Sequence, residues 1–216
     1  MKQPQPQPYT MDSILLKNKI NYFWEWFTKH ERQFREISDP VAIRELLDNQ
    51  VLQFGAFSWE IGEGLGESHT FTISPNGDAK MLRRSEAIIG EAPELPQWQF
   101  FAAKPAQEWN FIFKMFDSFM LQQTIDAAEW AFIFRMTQDR KLNVLIYTRH
   151  IDFLDADDKQ SAADFALNQI IGEMDKIYYI NSVSFIENLN EIQQEDLKLF
   201  TNFKFEFEKL LDELGR

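Results

Sequence analysis

The stretch that decides the fold class is WAFIFRMTQDRKLNVLIYT, residues 130–148. Every second residue is large and apolar in 130–136, and an alternation of apolar or β-branched residues resumes in 142–148. A two-residue period is typical of a strand with one buried face. The polar residues 137–141 separate the two runs by the length of a short hairpin loop. The stretch therefore predicts two antiparallel strands.

Two shorter runs with the same period lie towards the N-terminus, at 57–61 and 70–73. The segment GEGLG at 62–66 lies between them. It lacks the third glycine of a dinucleotide-binding fingerprint, is flanked by glutamates and leads into a strand instead of a helix. We therefore expect a hairpin loop whose glycines permit positive φ. The turn sequence SPNGD at 74–78 then precedes a predicted helix, and a further strand is expected from Trp98.

The other periodic segments predict helices, because their apolar residues recur at steps of three and four. This spacing occurs in 16–37, 43–54, 82–92 and 163–174. A β-rich run follows at 177–186. Asn190 and Gln193 form a capping-box signal for a last helix, whose apolar stripe ends at Leu214. Segment 104–126 suits a helix by spacing and a strand by its aromatic density, so both interpretations stay open there.

These elements predict an α+β fold with a mainly antiparallel sheet built from hairpins, helices packed on one face, and long helices at both ends. No interior segment rich in Gly, Ser or Pro separates two cores. We therefore expect a single domain over 12–216. The alternating Gln-Pro start favours a poorly ordered arm over 1–11, because proline lacks the amide hydrogen that a helix needs.

The 216 residues carry a formal net charge of −12 and contain no cysteine. The acidic residues are spread along the chain and would repel a phosphate backbone, so no nucleic-acid partner is expected. No secretion signal or membrane helix is predicted, since no apolar run approaches ~18 residues. The absence of cysteine excludes thiolate metal sites and favours the cytoplasm. No cofactor, metal site or catalytic residue is predicted.

Three stretches carry a resemblance to a known family. FWEWF at 23–27, SPNGDAKMLRRSEAIIGEAPELPQW at 74–98 and ALNQIIGEMDKIYYINSVSFIE at 166–187 resemble an uncharacterised bacterial family of conserved hypothetical proteins. The resemblance spans most of the chain and rests on packing and turn residues. It implies a bacterial cytoplasmic origin and brings with it no activity, cofactor or catalytic residue.

Two tryptophans are the first candidate binding residues. Trp24 and Trp26 flank the apolar stripe of the first helix and lie about 200° apart around its axis. A single core would not cover both rings fully, so we expect one of them at the surface as an anchor for a protein partner. The alternative is partial burial beneath the N-terminal arm or the last helix. The acidic charge has two interpretations: solubility through self-repulsion, which is the more common one, and attraction to a basic protein partner.

The histidines support an alternative hypothesis. His30 lies on the apolar stripe of the first helix and is expected to be a core or boundary residue. His69 and His150 fall near predicted strand ends, where the alternative has them meet across the sheet as a general base oriented by Glu60 or Asp152.

A run of aspartates at 152–158 offers oxygen ligands for a cation. It lacks the glycine and the glutamate of a calcium-binding loop, and Asp157, Asp158 or Ser161 is expected to cap the next helix instead. The leading prediction is thus a non-enzymatic interaction protein that uses an acidic, aromatic-bearing surface to neutralise or escort a basic protein. The alternative is a small-molecule enzyme or ligand-binding protein with a pocket between sheet and helices.

Overall fold

The structure is a computed structural model that describes residues 11–36, 40–64, 66, 68–186 and 196–215. The expected Gln/Pro arm, apart from Met11, and the capping signal at 190–193 lie outside these residues. The chain divides into two compact units, Met1–Ala102 and Ala103–Arg216. The buried apolar residues form two clusters, one in each unit, where one shared interior was expected. The single domain over 12–216 stays a prediction.

The first unit contains three helices and a three-stranded sheet of order β1-β2-β3. Its elements are α1 (Met11–Arg35), α2 (Pro40–Leu52), β1 (Ser58–Glu63), β2 (His69–Ser74), α3 (Ala79–Ile89) and β3 (Trp98–Phe101). Strands β1 and β2 form the predicted antiparallel hairpin, with Gly66 in its loop at φ 69°. Strand β3 pairs with β2 in parallel, because α3 supplies the crossover that parallel neighbours require.

Aromatic rings fill the interior of the first unit. The ring centroid of Phe27 on α1 lies 5.1 Å from that of Phe71 on β2 and 5.1 Å from that of Trp98 on β3. Leu47 and Val51 of α2 are fully buried in the same cluster. The predicted apolar stripes of the first two helices therefore face this interior.

The second unit contains a two-stranded sheet, β4-β5, and a four-stranded sheet of order β8-β7-β6-β9. Its elements are β4 (Ile112–Phe116), β5 (Gln122–Asp126), β6 (Ala131–Met136), β7 (Leu142–Tyr147), α4 (Ala156–Tyr179), β8 (Ile180–Phe185), β9 (Lys198–Leu199) and α5 (Phe203–Glu213). The hairpin predicted from 130–148 is confirmed as β6-β7. Helix α4 connects β7 to β8, which pair in parallel.

The α+β class is confirmed, and four of the six strand pairings among the described residues are antiparallel. Segment 104–126, which was open between helix and strand, contains a hairpin and no helix in its described structure. Two details differ from the expectations. The last helix begins only at Phe203, because Lys198–Leu199 pairs with β6 and a 3₁₀ turn follows. Helix α4 is capped by Asp155, whose side chain accepts from the amide of Asp158.

Gly172 interrupts α4 with φ 80° and ψ 158°, a conformation that is essentially restricted to glycine. A Cβ atom at this position would lie 3.0 Å from the amide nitrogen of Ala106 and 3.3 Å from the carbonyl oxygen of Lys104. The amide of Glu173 donates to the Lys104 carbonyl at 2.8 Å, and the amide of Gln107 donates to the Gln169 carbonyl at 2.7 Å. The interruption thus lets segment 104–107 pass directly against the helix.

We predict that Gly172→Ala destabilises the protein by about 3 kcal/mol, since it combines backbone strain with a clash against main-chain atoms. Gly215→Ala in the same unit is the matched control. Gly215 also has positive φ, at 69°, but among the described residues no atom lies within 4 Å of its Cβ position. That variant is expected to lose about 1 kcal/mol. Urea unfolding measures the free energy of unfolding of both variants. Equal losses of this free energy would contradict the close approach of segment 104–107 to α4.

Candidate functional site

The loop of the β4-β5 hairpin has a backbone held by its own hydrogen bonds. The amide of Asp117 donates to the carbonyl of Leu121 at 3.0 Å, and the amide of Met120 donates to the carbonyl of Asp117 at 2.9 Å. Met120 adopts φ 59°, in the left-handed region. This is the three-residue hairpin loop that ends in a left-handed residue, a position usually taken by glycine.

The carboxylate of Asp117 organises this loop. Its oxygen atoms accept hydrogen bonds from the amides of Phe119 and Leu121, at 3.0 and 2.8 Å, and from the side-chain amide of Gln123 at 2.8 Å. The bond from Gln123 and those from the two backbone amides hold the pKa of Asp117 below its ordinary value. The charged form of the side chain is therefore part of the loop structure.

The β6-β7 hairpin provides an internal comparison, because its loop has the same geometry. The amide of Thr137 donates to the carbonyl of Lys141, that of Arg140 donates to the carbonyl of Thr137, and Arg140 has φ 61°. In this second loop the positions equivalent to Phe119 and Met120 are Asp139 and Arg140. The backbone geometry is thus compatible with polar residues at both positions and does not require apolar ones.

The β4-β5 loop nevertheless presents large apolar side chains to solvent. Phe119 is 80% exposed and Met120 is 77% exposed, and Phe116 and Leu121 are also more than half exposed. We call these four residues the apolar tip. Exposed apolar residues that occur singly are common on protein surfaces, whereas four of them within residues 116–121 favour an interaction site at this loop.

Carboxylates surround the base of the apolar tip. Ser118, inside the loop, donates from its amide to Asp158 and from its hydroxyl to Asp155, both at 2.9 Å. These bonds attach the loop to the first turn of α4. Asp117, Asp155 and Asp158 form no ion pair in the described part of the chain. The tip therefore combines an apolar centre with an uncompensated acidic border.

The two candidate tryptophans are placed differently from each other. Trp24 is only 4% exposed, and its indole nitrogen donates to the carbonyl of Ile88 at 2.7 Å. Its ring also contacts Phe100, at 4.8 Å between centroids. Trp26 is half-buried against His30, whose Nδ1 donates to the Trp26 carbonyl at 2.8 Å. Trp24 is therefore a core residue, and neither ring is a fully exposed anchor.

The candidate histidines lie beside different sheets. His69 begins β2 in the first unit and pairs in register with Glu63, whereas Glu60 lies opposite Thr72. His150 follows β7 in the second unit. The structure therefore does not bring the two histidines together across one sheet, as the alternative hypothesis expected.

His150 has a carboxylate partner that the sequence analysis missed. Its Nε2 lies 2.8 Å from Oε2 of Glu129, and both side chains are well exposed. Asp152, an expected partner, instead pairs with Lys159 at 3.3 Å. An exposed pair of this kind contributes little to stability and is common on protein surfaces.

The described residues contain no group of three His, Cys, Asp or Glu arranged to hold a metal ion. Within the same residues, no helix has both the length and the hydropathy of a transmembrane span. The chain matches no protein-family model, no curated protein and no solved structure.

We predict that Asp117→Ala loosens the loop, because three hydrogen bonds to the carboxylate are lost. The amide hydrogens of Phe119 and Leu121 are expected to exchange several-fold faster with solvent, as measured by NMR. Asp139→Ala in the β6-β7 loop is the control and should leave both rates unchanged. If Asp117→Ala also left them unchanged, the carboxylate would not organise the loop.

The same residue sets a pH dependence. Because the pKa of Asp117 is lowered in the folded protein, its contribution to loop stability is complete above the ordinary carboxyl pKa of about 4. The contribution is lost as the pH falls through the lowered value. Protection of the Leu121 amide, corrected for the intrinsic exchange rate, should therefore be constant from neutral pH to about pH 4 and fall below it. A loss of protection between pH 7 and pH 5 would contradict this assignment.

Proposed function

We propose that this protein is a non-enzymatic cytoplasmic interaction protein that binds a basic protein partner through the apolar tip of the β4-β5 hairpin. The observation that carries the proposal is the pair Phe119 and Met120, held almost fully exposed on an ordered loop. Apolar side chains gain free energy when they leave water. A partner that covers these side chains would bind with this favourable free energy. Because the loop is already ordered, binding would carry no entropy cost for ordering it.

The charge around the tip supports a basic partner. Asp117, Asp155 and Asp158 border the apolar residues, and the whole chain carries a net charge of −12. Such a surface attracts cationic proteins at long range and repels acidic ones. The best complement is a segment that presents lysine or arginine next to apolar residues. Neutralising or escorting such a segment needs binding alone and no catalytic group.

The alternative is a small-molecule enzyme or ligand-binding protein, for which His150 of the expected pair His69 and His150 is the residue with a carboxylate partner. Its support is the 2.8 Å contact between His150 and Glu129, which provides a base with an orienting carboxylate. This support would be removed if a His150→Gln variant bound or converted small molecules as well as the unaltered protein does. The interaction proposal is favoured because the exposure of the apolar tip to water is unfavourable in free energy unless a partner covers it. The exposed polar pair has no such cost.

The test uses an amphipathic helical peptide of leucine and lysine as the probe, with fluorescence anisotropy as the measurement. We predict that the full-length protein binds this peptide and that binding weakens strongly as salt is raised. Phe119→Ser combined with Met120→Asn is expected to weaken binding about tenfold or more, since truncated hot-spot residues have effects of this size. Asparagine is chosen because it tolerates the left-handed conformation.

The matched control is Asp139→Ser combined with Arg140→Asn, which changes the equivalent positions of the other hairpin and keeps the net charge. It is expected to bind like the unaltered protein. A second peptide, with glutamine in place of every lysine, should bind weakly. Equal binding by the two double variants, or equal binding of the two peptides, would refute the proposed function.

A further inference from the structure

A cavity of about 660 Å³ lies in the second unit, at the carboxyl ends of the parallel strands β7 and β8. Tyr147 and Thr148 line it from β7 and its continuation, and Phe185 lines it from β8. The first turns of α4, which connects these two strands, contribute Ala156 and Lys159. Its volume is that of a small-molecule site, and it is separate from the apolar tip.

The described lining of the cavity has a charge opposite to that of the chain. Arg149 and Lys159 line it together with Asp152, so its described lining has two cations and one carboxylate. Lys159 lies 3.3 Å from Asp152, and its side chain is largely buried. Arg149 forms no ion pair in the described part of the chain and lies over the ring of Tyr147, with its central guanidinium carbon 5.9 Å from the ring centroid. One oriented guanidinium is therefore left for a ligand.

Two further acidic residues at the start of α4 are engaged elsewhere. Asp155 and Asp158 bond to Ser118 of the β4-β5 loop, and neither lines the cavity. The rest of the lining is partly apolar, with Ile151, Val183 and Ile186 among its residues. A ligand that fits this lining has an anionic group for the guanidinium and an apolar body for the wall.

We infer that this cavity binds a small organic anion, with Arg149 as the residue that holds its carboxylate or phosphate group. Guanidinium groups bind both kinds of anion through paired N–H donors. Tyr147 restricts the position of the Arg149 side chain, and Lys159 adds positive charge, while the apolar wall favours an organic molecule over a free inorganic ion. The inference does not depend on the function of the apolar tip.

The test measures binding of phenyl phosphate, inorganic phosphate and benzyl alcohol to the full-length protein by isothermal titration and NMR. Phenyl phosphate is expected to bind saturably, with a dissociation constant of about 1 mM or tighter. Inorganic phosphate lacks the apolar body and benzyl alcohol lacks the anionic group, so each should bind at least several-fold more weakly. Benzoate in a parallel titration distinguishes a carboxylate site from a phosphate site, and preferential binding of either anion supports the inference.

Arg149→Gln is expected to weaken phenyl phosphate binding about tenfold, since a charged hydrogen-bonding partner is lost. Arg140→Gln removes the same charge from a hairpin loop outside the cavity and should leave binding unchanged. Ala156→Trp fills the cavity from an exposed helix position, so the protein should fold and lose binding of all probes. Absence of saturable binding to phenyl phosphate and benzoate, equal effects of the two arginine variants, or unchanged binding in Ala156→Trp would each overturn the inference.

Discussion

The second unit depends on the attachment of segment 104–121 to the long helix α4. Near the middle of the helix, the irregular conformation of Gly172 allows main-chain atoms of Lys104 and Ala106 to approach, and Glu173 bonds to Lys104 through both its amide and its carboxylate. Nearer the start of the helix, the ring of Phe113 stacks on that of Phe165, with 4.6 Å between the ring centroids. At the start of the helix, Ser118 bonds to its first turn. A two-stranded hairpin is marginally stable alone, and these attachments give it a fixed support.

Regular alternation made most of the fold predictable, and the ambiguity in segment 104–126 has a physical cause. In segment 104–126, Phe113 is buried whereas Ile112 and Phe116 are exposed. Apolar residues that are exposed at a binding surface follow neither the helical nor the strand periodicity. The segment that carries the candidate site was therefore the one whose secondary structure stayed ambiguous. The sequence did contain a signal, because FML at 119–121 places three apolar residues where the equivalent loop of the other hairpin has DRK. This signal can be recognised only when the two hairpin loops are known to have the same backbone geometry.

The tryptophans and histidines illustrate the other limit of sequence reasoning. Helical geometry separates Trp24 and Trp26 by about 200° around α1, but it did not reveal that α3 and β3 cover Trp24 through Ile88 and Phe100. Burial of a ring is a tertiary property. Likewise, the proximity of His69 and His150 to strand ends was insufficient to predict partners, because sheet membership is decided by pairings between distant residues.

The acidic net charge is compatible with both a basic partner and an anionic ligand, because the two act over different distances. At physiological ionic strength, charge effects decay over about 8 Å, so a small anion inside the cavity responds chiefly to the charges that line it. Arg149 and Lys159 outnumber Asp152 there. A protein partner approaches over a larger surface and responds to the aspartates grouped around the apolar tip. The hairpin contributes to this separation, since Ser118 engages Asp155 and Asp158 on the side of α4 that bears the tip. The first turns of one helix thereby support two surfaces of opposite local charge.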